Sequence, residues 1–221
     1  MRAIFDQELE QVGNDLLQMA KHVADAISNA SKALTTGDLE LAERVIEADA
    51  RIDELERTLD ERCIMLLARQ QPVATDLRII VSSLRMSSSI ERMGDLARHI
   101  GQVVRLRYPE ATIPDSAKPV FADLATAAIK VANDIVELLE THDLQLAAAV
   151  ERDDDVLDAL HTETFKITLA DSWRGSVAQT VDVTLLARFF ERFGDHAVSV
   201  ARRITYLVTG DLVQGNGNAD G

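Results

Sequence analysis

Two carboxylates four residues apart, Glu91 and Asp95, share one face of any helix that holds them, and Glu191 and Asp195 repeat the arrangement 100 residues later. The two copies read Glu-Arg-Met-Gly-Asp at 91–95 and Glu-Arg-Phe-Gly-Asp at 191–195. Like charges at this spacing repel by about 0.2–0.5 kcal/mol when solvated, and by more when partly buried without a compensating cation. Gly94 and Gly194 each add about 1 kcal/mol of helix cost. Unfavourable choices made twice at matching places require a reason. Glycine lets a neighbouring backbone or ligand come close, and a divalent cation turns the carboxylate repulsion into binding.

Two further acidic pairs have the same spacing, Asp49 with Asp53 and Asp154 with Asp158. If the four pairs meet two by two, each of two sites holds four carboxylates. Oxygen-rich ligation suits magnesium, calcium or manganese, and carboxylate clusters also hold iron or zinc. His99 lies four residues beyond Asp95 and extends that face, whereas its counterpart is Ser199, so the first site is expected to favour a transition metal more than the second. The plainer reading pairs Asp95 with Arg98 and Glu191 with Arg188 on solvated helix faces. The duplicated glycine and the second acidic pair weigh against it. In the run Asp153-Asp154-Asp155, one member is expected to turn inward.

Other chemistry finds little support. The di-iron bundle signature needs Glu-x-x-His on two helices, and the nearest approach is one Asp158-x-x-His161. No glycine-rich phosphate loop follows a strand. His22, His142 and His161 stand apart from any evident nucleophile. Cys63 is alone and sits in an apolar run, so it reads as a small buried hydrophobe. The 221 residues carry 23 Lys and Arg against 37 Asp and Glu, a net charge of -14 that repels phosphate backbones and excludes nucleic acid as a partner.

The elements that must position these residues are helices. Aromatics are only 4% of the chain, poor material for a sandwich or barrel. The four prolines, 72, 109, 114 and 119, all fall between apolar-periodic segments. Further breaks lie at 35–38, 141–143 and 172–176. Six helices are predicted, over about 6–34, 38–70, 72–108, 118–140, 143–172 and 177–208. Asp38 is a candidate N-cap and Pro72 a first-turn residue. Leu9, Val12, Leu16, Met19, Val23, Ile27, Ala30 and Leu34 make one apolar stripe on the first helix. Ser87-Ser88-Ser89 reads as a close-packing strip, and Trp173 as a side chain packed at a bundle end beside Gly175. No stretch approaches a membrane span, and the acidic opening segment is no signal peptide, so the expected location is cytoplasmic.

The chain repeats. Asp38-Leu-Glu-Leu-Ala recurs as Asp143-Leu-Gln-Leu-Ala, and that register also lays Val45, Asp49, Asp53 and Leu55 on Val150, Asp154, Asp158 and Leu160. The expected fold is all-α: two tandem three-helix bundles related by internal duplication, at 1–108 and 118–209. A stiff, extended proline-rich linker is expected at 109–117 and a disordered tail at 210–221.

With these residues in view, the chain resembles the PhoU family, accessory regulators of bacterial phosphate uptake. The resemblance runs over about residues 1–209. It rests on Phe5-Asp6-Gln7-Glu8-Leu9, on Gln71-Pro72-Val73-Ala74-Thr75-Asp76-Leu77-Arg78 and on both Glu-x-x-Gly-Asp motifs. The chain departs from the family in having Met93 and Phe193 where isoleucine is usual before the motif glycine. It also has His99 and Ser199 where asparagine is common. The resemblance implies tandem three-helix bundles that bind metal clusters through Glu91, Asp95, Glu191 and Asp195. It implies a non-enzymatic negative regulator of the phosphate-starvation response and a homodimer. Its expected partners are the ATPase subunit of the phosphate ABC transporter and the membrane sensor histidine kinase of the phosphate two-component system. The rivals are a carboxylate-metal phosphoester hydrolase and a helical adaptor without metal.

Overall fold

The computed structural model describes residues 2–211, with side chains from residue 4 onward. Its six helices are α1 (Arg2–Thr36), α2 (Leu39–Gln70), α3 (Ala74–Arg107), α4 (Lys118–Thr141), α5 (Leu144–Leu169) and α6 (Val177–Thr209). No strand occurs among the described residues. The longer helices reach about 50 Å.

Local signals set the ends. Asp38 caps α2, its carboxylate accepting the Leu41 N–H at 3.0 Å, and Asp143 caps α5 through the Gln145 N–H at 2.7 Å. Ser176 and Gln179 form a capping box on α6. Pro72 lies just before α3 rather than in its first turn. Proline disfavours the right-handed helical region for the residue before it, and Gln71 takes a left-handed turn at φ 45° instead. The predicted end of α5 moves back to Leu169, because Ala170 is extended.

The connection at 109–117 is not the extended spacer its prolines suggested. It folds into turns closed by Glu110 N–H to Arg107 O at 2.8 Å and Ala117 N–H to Pro114 O at 2.9 Å. Thr112 and Ile113 are buried, so the segment is held by packing as well as by proline stiffness. Most of the predicted tail, from 212 onward, lies outside the described residues.

Every member of the α1 stripe from Val12 to Leu34 is buried. α1, α2 and α3 pack on one another, as do α4, α5 and α6. The two units also meet broadly, α1 on α4 and α3 on α6, so four helices form a centre flanked by α2 and α5. One hydrophobic cluster runs through both units, with Phe121 edge-on to Phe190 at 6.2 Å across α4 and α6. α3 and α6 run antiparallel, with Arg78 facing Tyr206 at one end and Arg107 facing Asp182 at the other. This brings Gly94 and Gly194 level at the middle of the seam.

Cys63 is buried as expected. Ser82, Ser83 and Ser87 are the buried serines of α3, whereas Ser88 is exposed. Trp173 packs on the core, and its Nε1–H donates to Thr180 Oγ1 at 2.9 Å. A Cβ on Gly175 would stand 2.3 Å from its ring.

Candidate functional site

The motif glycines bring the acidic helices together. A Cβ on Gly94 would stand 2.8 Å from Ile52 Cδ1 and 3.5 Å from Asp49 Oδ1 on α2. A Cβ on Gly194 would stand 2.2 Å from Asp154 Oδ1 and 2.7 Å from Leu157 Cδ1 on α5. Ile52 and Leu157 are counterparts in the duplication, as are Asp49 and Asp154. In each unit the missing side chain lets an aspartate of the neighbouring helix approach the motif.

On the first face, Asp49 is buried and Glu91 and Asp95 are half-buried, while Asp53 is exposed. Arg98 lies between the helices, its Nε 3.0 Å from Asp49 Oδ2, and also pairs with Asp95. Arg92 donates to Asp95 Oδ2 at 2.9 Å and stands 3.5 Å from Glu91 Oε2. Burial pushes Asp49 up to about 6, against the pull of Arg98 and with the repulsion of Asp53 and Asp95. Burial and then Asp95 push Glu91 up to about 7.

The second face has the same plan with less compensation. Glu191 is buried and pairs with Arg188, while Asp195 and Asp158 are exposed. Asp154 is the inward member of its acidic run, whereas Asp153 pairs with Lys130 at 2.6 Å. The residue in the place of Arg98 is Val198, so Asp154 lacks the guanidinium that serves Asp49. Asp154 Oδ1 is accordingly buried without a hydrogen-bond partner, and Glu191 Oε2 is buried without one as well. Burial and then Asp158, Asp195 and Glu191 push Asp154 up to about 7.

The predicted residues therefore assemble as two acidic faces, one between α2 and α3 and one between α5 and α6. His99 turns toward the seam, its ring 5.4 Å from that of Phe189 on α6. Sequence reasoning missed Glu56 and Asp60, which continue the Asp49-Asp53 stripe at helical spacing. Burial raises both, and the charges of Asp53, Asp95 and Glu91 couple Glu56 to the motif. The register that matches Asp49 with Asp154 lays Glu56 on His161, so His161 extends the second face. Its own affinity for a proton is lowered by burial and by Arg188.

The donor chemistry is of a kind that a cation would satisfy: the donors are mainly oxygens, and two of them are buried and unsatisfied. The second face fits a cation better than the first, where Arg98 already lies among the carboxylates. No three His, Cys, Asp or Glu side chains are already grouped as a ligand set among the described residues, so binding requires the carboxylates to turn.

Comparison with known proteins extends over both units. The family model described as the PhoU domain matches residues 16–104 and again 121–204. The chain is 40% identical over 210 residues to the phosphate-specific transport system accessory protein PhoU homolog 2 of Mycobacterium bovis, covering 95% of this chain and 99% of the relative. It is 39% identical over 212 residues to PhoU homolog 1 of Mycobacterium leprae, covering 96% of each. The crystal structure of PhoU from Pseudomonas aeruginosa superposes with a TM-score of 0.86 at 30% identity, covering 94% of this chain and 100% of that one. The phosphate transport system regulatory protein PhoU of Streptococcus pneumoniae gives a TM-score of 0.84 at 26% identity, covering 95% and 99%.

Proposed function

The chain belongs to the PhoU family, and on that premise we propose that it is an accessory regulator of phosphate transport. It represses the phosphate-starvation response by bridging the ATPase subunit of the phosphate ABC transporter and a sensor histidine kinase. The observation that carries this reading is the full-length likeness to phosphate-specific transport accessory proteins, with the PhoU domain present twice. No helix among the described residues is long and apolar enough to cross a membrane. Its proposed action is through partners at the transporter.

The two acidic faces set the shape of the adaptor. Asp154, Asp158, Glu191 and Asp195, with His161 beside them, would hold a cation on the second face. Asp49, Asp53, Glu91 and Asp95 would hold one on the first. A divalent ion such as magnesium or manganese, or an iron or zinc ion, supplies there the positive charge that the buried carboxylates lack. The chain's own part is to hold α5 against α6 and α2 against α3 through the motif glycines, fixing the surface offered to partners. Signalling follows as a population shift, which requires that this surface bind two transporter states with different affinity.

The test is a phosphate-starvation reporter in cells grown with ample phosphate, with every PhoU copy deleted and this one restored. Deletion is expected to switch the reporter on, and restoration to silence it. A reporter that stays off throughout overturns the regulatory role. Metal-dependent turnover of a phosphoester by the purified protein would replace it with a hydrolase reading. Metal content is checked separately, by elemental analysis of the wild type and of Glu191→Ala/Asp195→Ala. Equal metal in both proteins removes the second face from the proposal.

A further inference from the structure

The charge of this acidic chain is unevenly placed. α2 and α5 carry fifteen acids against seven bases, whereas α3 and α6 carry ten arginines against six acids and no lysine. Half of those arginines serve ion pairs. Arg78, Arg85, Arg192 and Arg203 do not, and they share one side of the α3–α6 seam.

On α3 that side reads Arg78, Val81, Arg85, Ser88, Arg92, at spacings of three and four. On α6 it reads Arg192, His196, Ser199, Arg203, Tyr206. No carboxylate falls within either row, and the nearest are Glu91 and Asp95, which Arg92 meets where the α3 row reaches the first acidic face. The rows face one another in antiparallel order. Arg78 lies over the Tyr206 ring at 5.5 Å, and Arg85 is near enough to act on Arg203. Burial, followed by the charge of Arg85, weakens the hold of Arg203 on its proton. Val81 remains 38% exposed among these guanidiniums. From Arg78 to Arg92 the strip is about 20 Å long and two helices wide.

We propose that this arginine-bearing side of the α3–α6 seam is the docking surface for an acidic face of a protein partner. The inference rests on the accessory role proposed above and says which surface serves it. Arginine, tyrosine and an exposed aliphatic side chain without lysine are the composition of a protein interface centre. An anionic membrane would also meet the acidic helices α2 and α5 on either flank, which it repels. A second copy docked face to face would set arginine against arginine. The guanidiniums stand on an open side, with Arg85, Arg92 and Arg192 exposed, which suits an extended partner better than a small ion.

The test uses the full-length chain with the purified transporter ATPase subunit and the cytoplasmic part of the sensor kinase. Association rates are measured at low and high salt. Wild type is expected to bind one of them at a rate that falls steeply with salt. Arg85→Glu/Arg203→Glu should slow association about tenfold, and Arg192→Glu should act in the same direction. Arg57→Glu, on the exposed side of α2, is the control and should leave the rate within about twofold. Thermal midpoints confirm that each variant is folded. Binding that persists with unchanged rate and salt dependence in the reversals overturns this surface and leaves the accessory role standing. Absence of binding to both proteins, with no repression in the reporter strain, overturns the role and the surface together. Arginine-dependent binding of inorganic phosphate or of phosphatidylserine vesicles, without protein binding, replaces the protein partner with an anion or a membrane.

Discussion

At the scale of single residues, the difference between repeats that bears most on the buried aspartates is Arg98 in the first face and Val198 in the second. Asp49 keeps an ion-pair partner and Asp154 does not. A carboxyl whose affinity for a proton is raised by folding stabilises the native state fully below its unfolded pKa. That contribution is lost as pH rises through the folded value. Asp154 goes from 3.8 to about 7, so its share is present near pH 4 and gone by about pH 8. Asp154→Asn removes the charge and keeps the shape. In chelator, the variant should match wild type near pH 4 and exceed it increasingly toward pH 8. The expected gain is about 1 kcal/mol, the order of relieving one unpaired half-buried polar group. His99, His161 and His196 also titrate in this window, with affinity for protons lowered by burial. They are common to both proteins and cancel in the difference. The measurement is thermal midpoint against pH for the pair, and a gap that shrinks as pH rises would show that Asp154 is solvated after all. The same variant should lose most of any stabilisation that added metal gives wild type.

At the scale of elements, three glycines set how closely helices approach, and their tolerance to alanine should differ by what a Cβ would meet. At Gly101 the nearest atom is the Ala42 carbonyl oxygen on α2, 3.1 Å away. A helix backbone cannot yield alone, so Gly101→Ala should push α2 outward and cost about 1–3 kcal/mol. At Gly194 the nearest atoms are the ends of the Asp154 and Leu157 side chains. The intrinsic helix gain of about 1 kcal/mol for alanine offsets the repacking, so Gly194→Ala should stay near wild type in stability while displacing Asp154 from the motif. Chemical denaturation reads the first effect, and metal uptake the second. The glycines, the helix count, the Asp38 cap and the duplication were legible in the sequence, because each is a local pattern or a self-match. The linker was misread, because prolines report backbone stiffness and say nothing of Ile113 finding a buried place. His99 was assigned to the carboxylate face by its spacing from Asp95 alone. Its ring is engaged by Phe189, 90 residues away, a contact no local spacing encodes. Glu56 and His161 were within reach of the same reasoning, since both continue stripes already noticed. They needed the two repeat registers carried one turn further.

At the scale of the whole molecule, the units share one core, so the chain should not behave as two independent bundles. The α3–α6 seam ends in an ion pair that joins them: Arg107 donates to Asp182 Oδ2 at 2.5 Å and to Oδ1 at 3.0 Å. Asp182 is 3% exposed, whereas Arg107 reaches it from a partly solvated position. Removing only the cation leaves a buried carboxylate unpaired, which is worse than removing both charges. Arg107→Ala should therefore lower the thermal midpoint more than Arg107→Leu/Asp182→Leu does. The position of the loss matters as much as its size. Phe121 meets Phe190 within the second unit, but α1 lies against α4 and α3 against α6 through buried aliphatic rows. Cutting the chain in the 109–117 turns would bare those rows on both halves. A fragment of residues 1–108 is expected to self-associate or to lack a cooperative transition. Intact protein should melt in a single calorimetric transition, with equal calorimetric and van't Hoff enthalpies. In Arg107→Ala that transition should move down without splitting, because the apolar contacts of the seam outlast its ion pair. Two resolved transitions in the wild type would mean that the seam is a contact between folded domains, and that docking on α3 and α6 could be transmitted by their moving apart. A single transition means that any partner gripping the seam acts on both acidic faces at once, since neither unit can change its packing without the other.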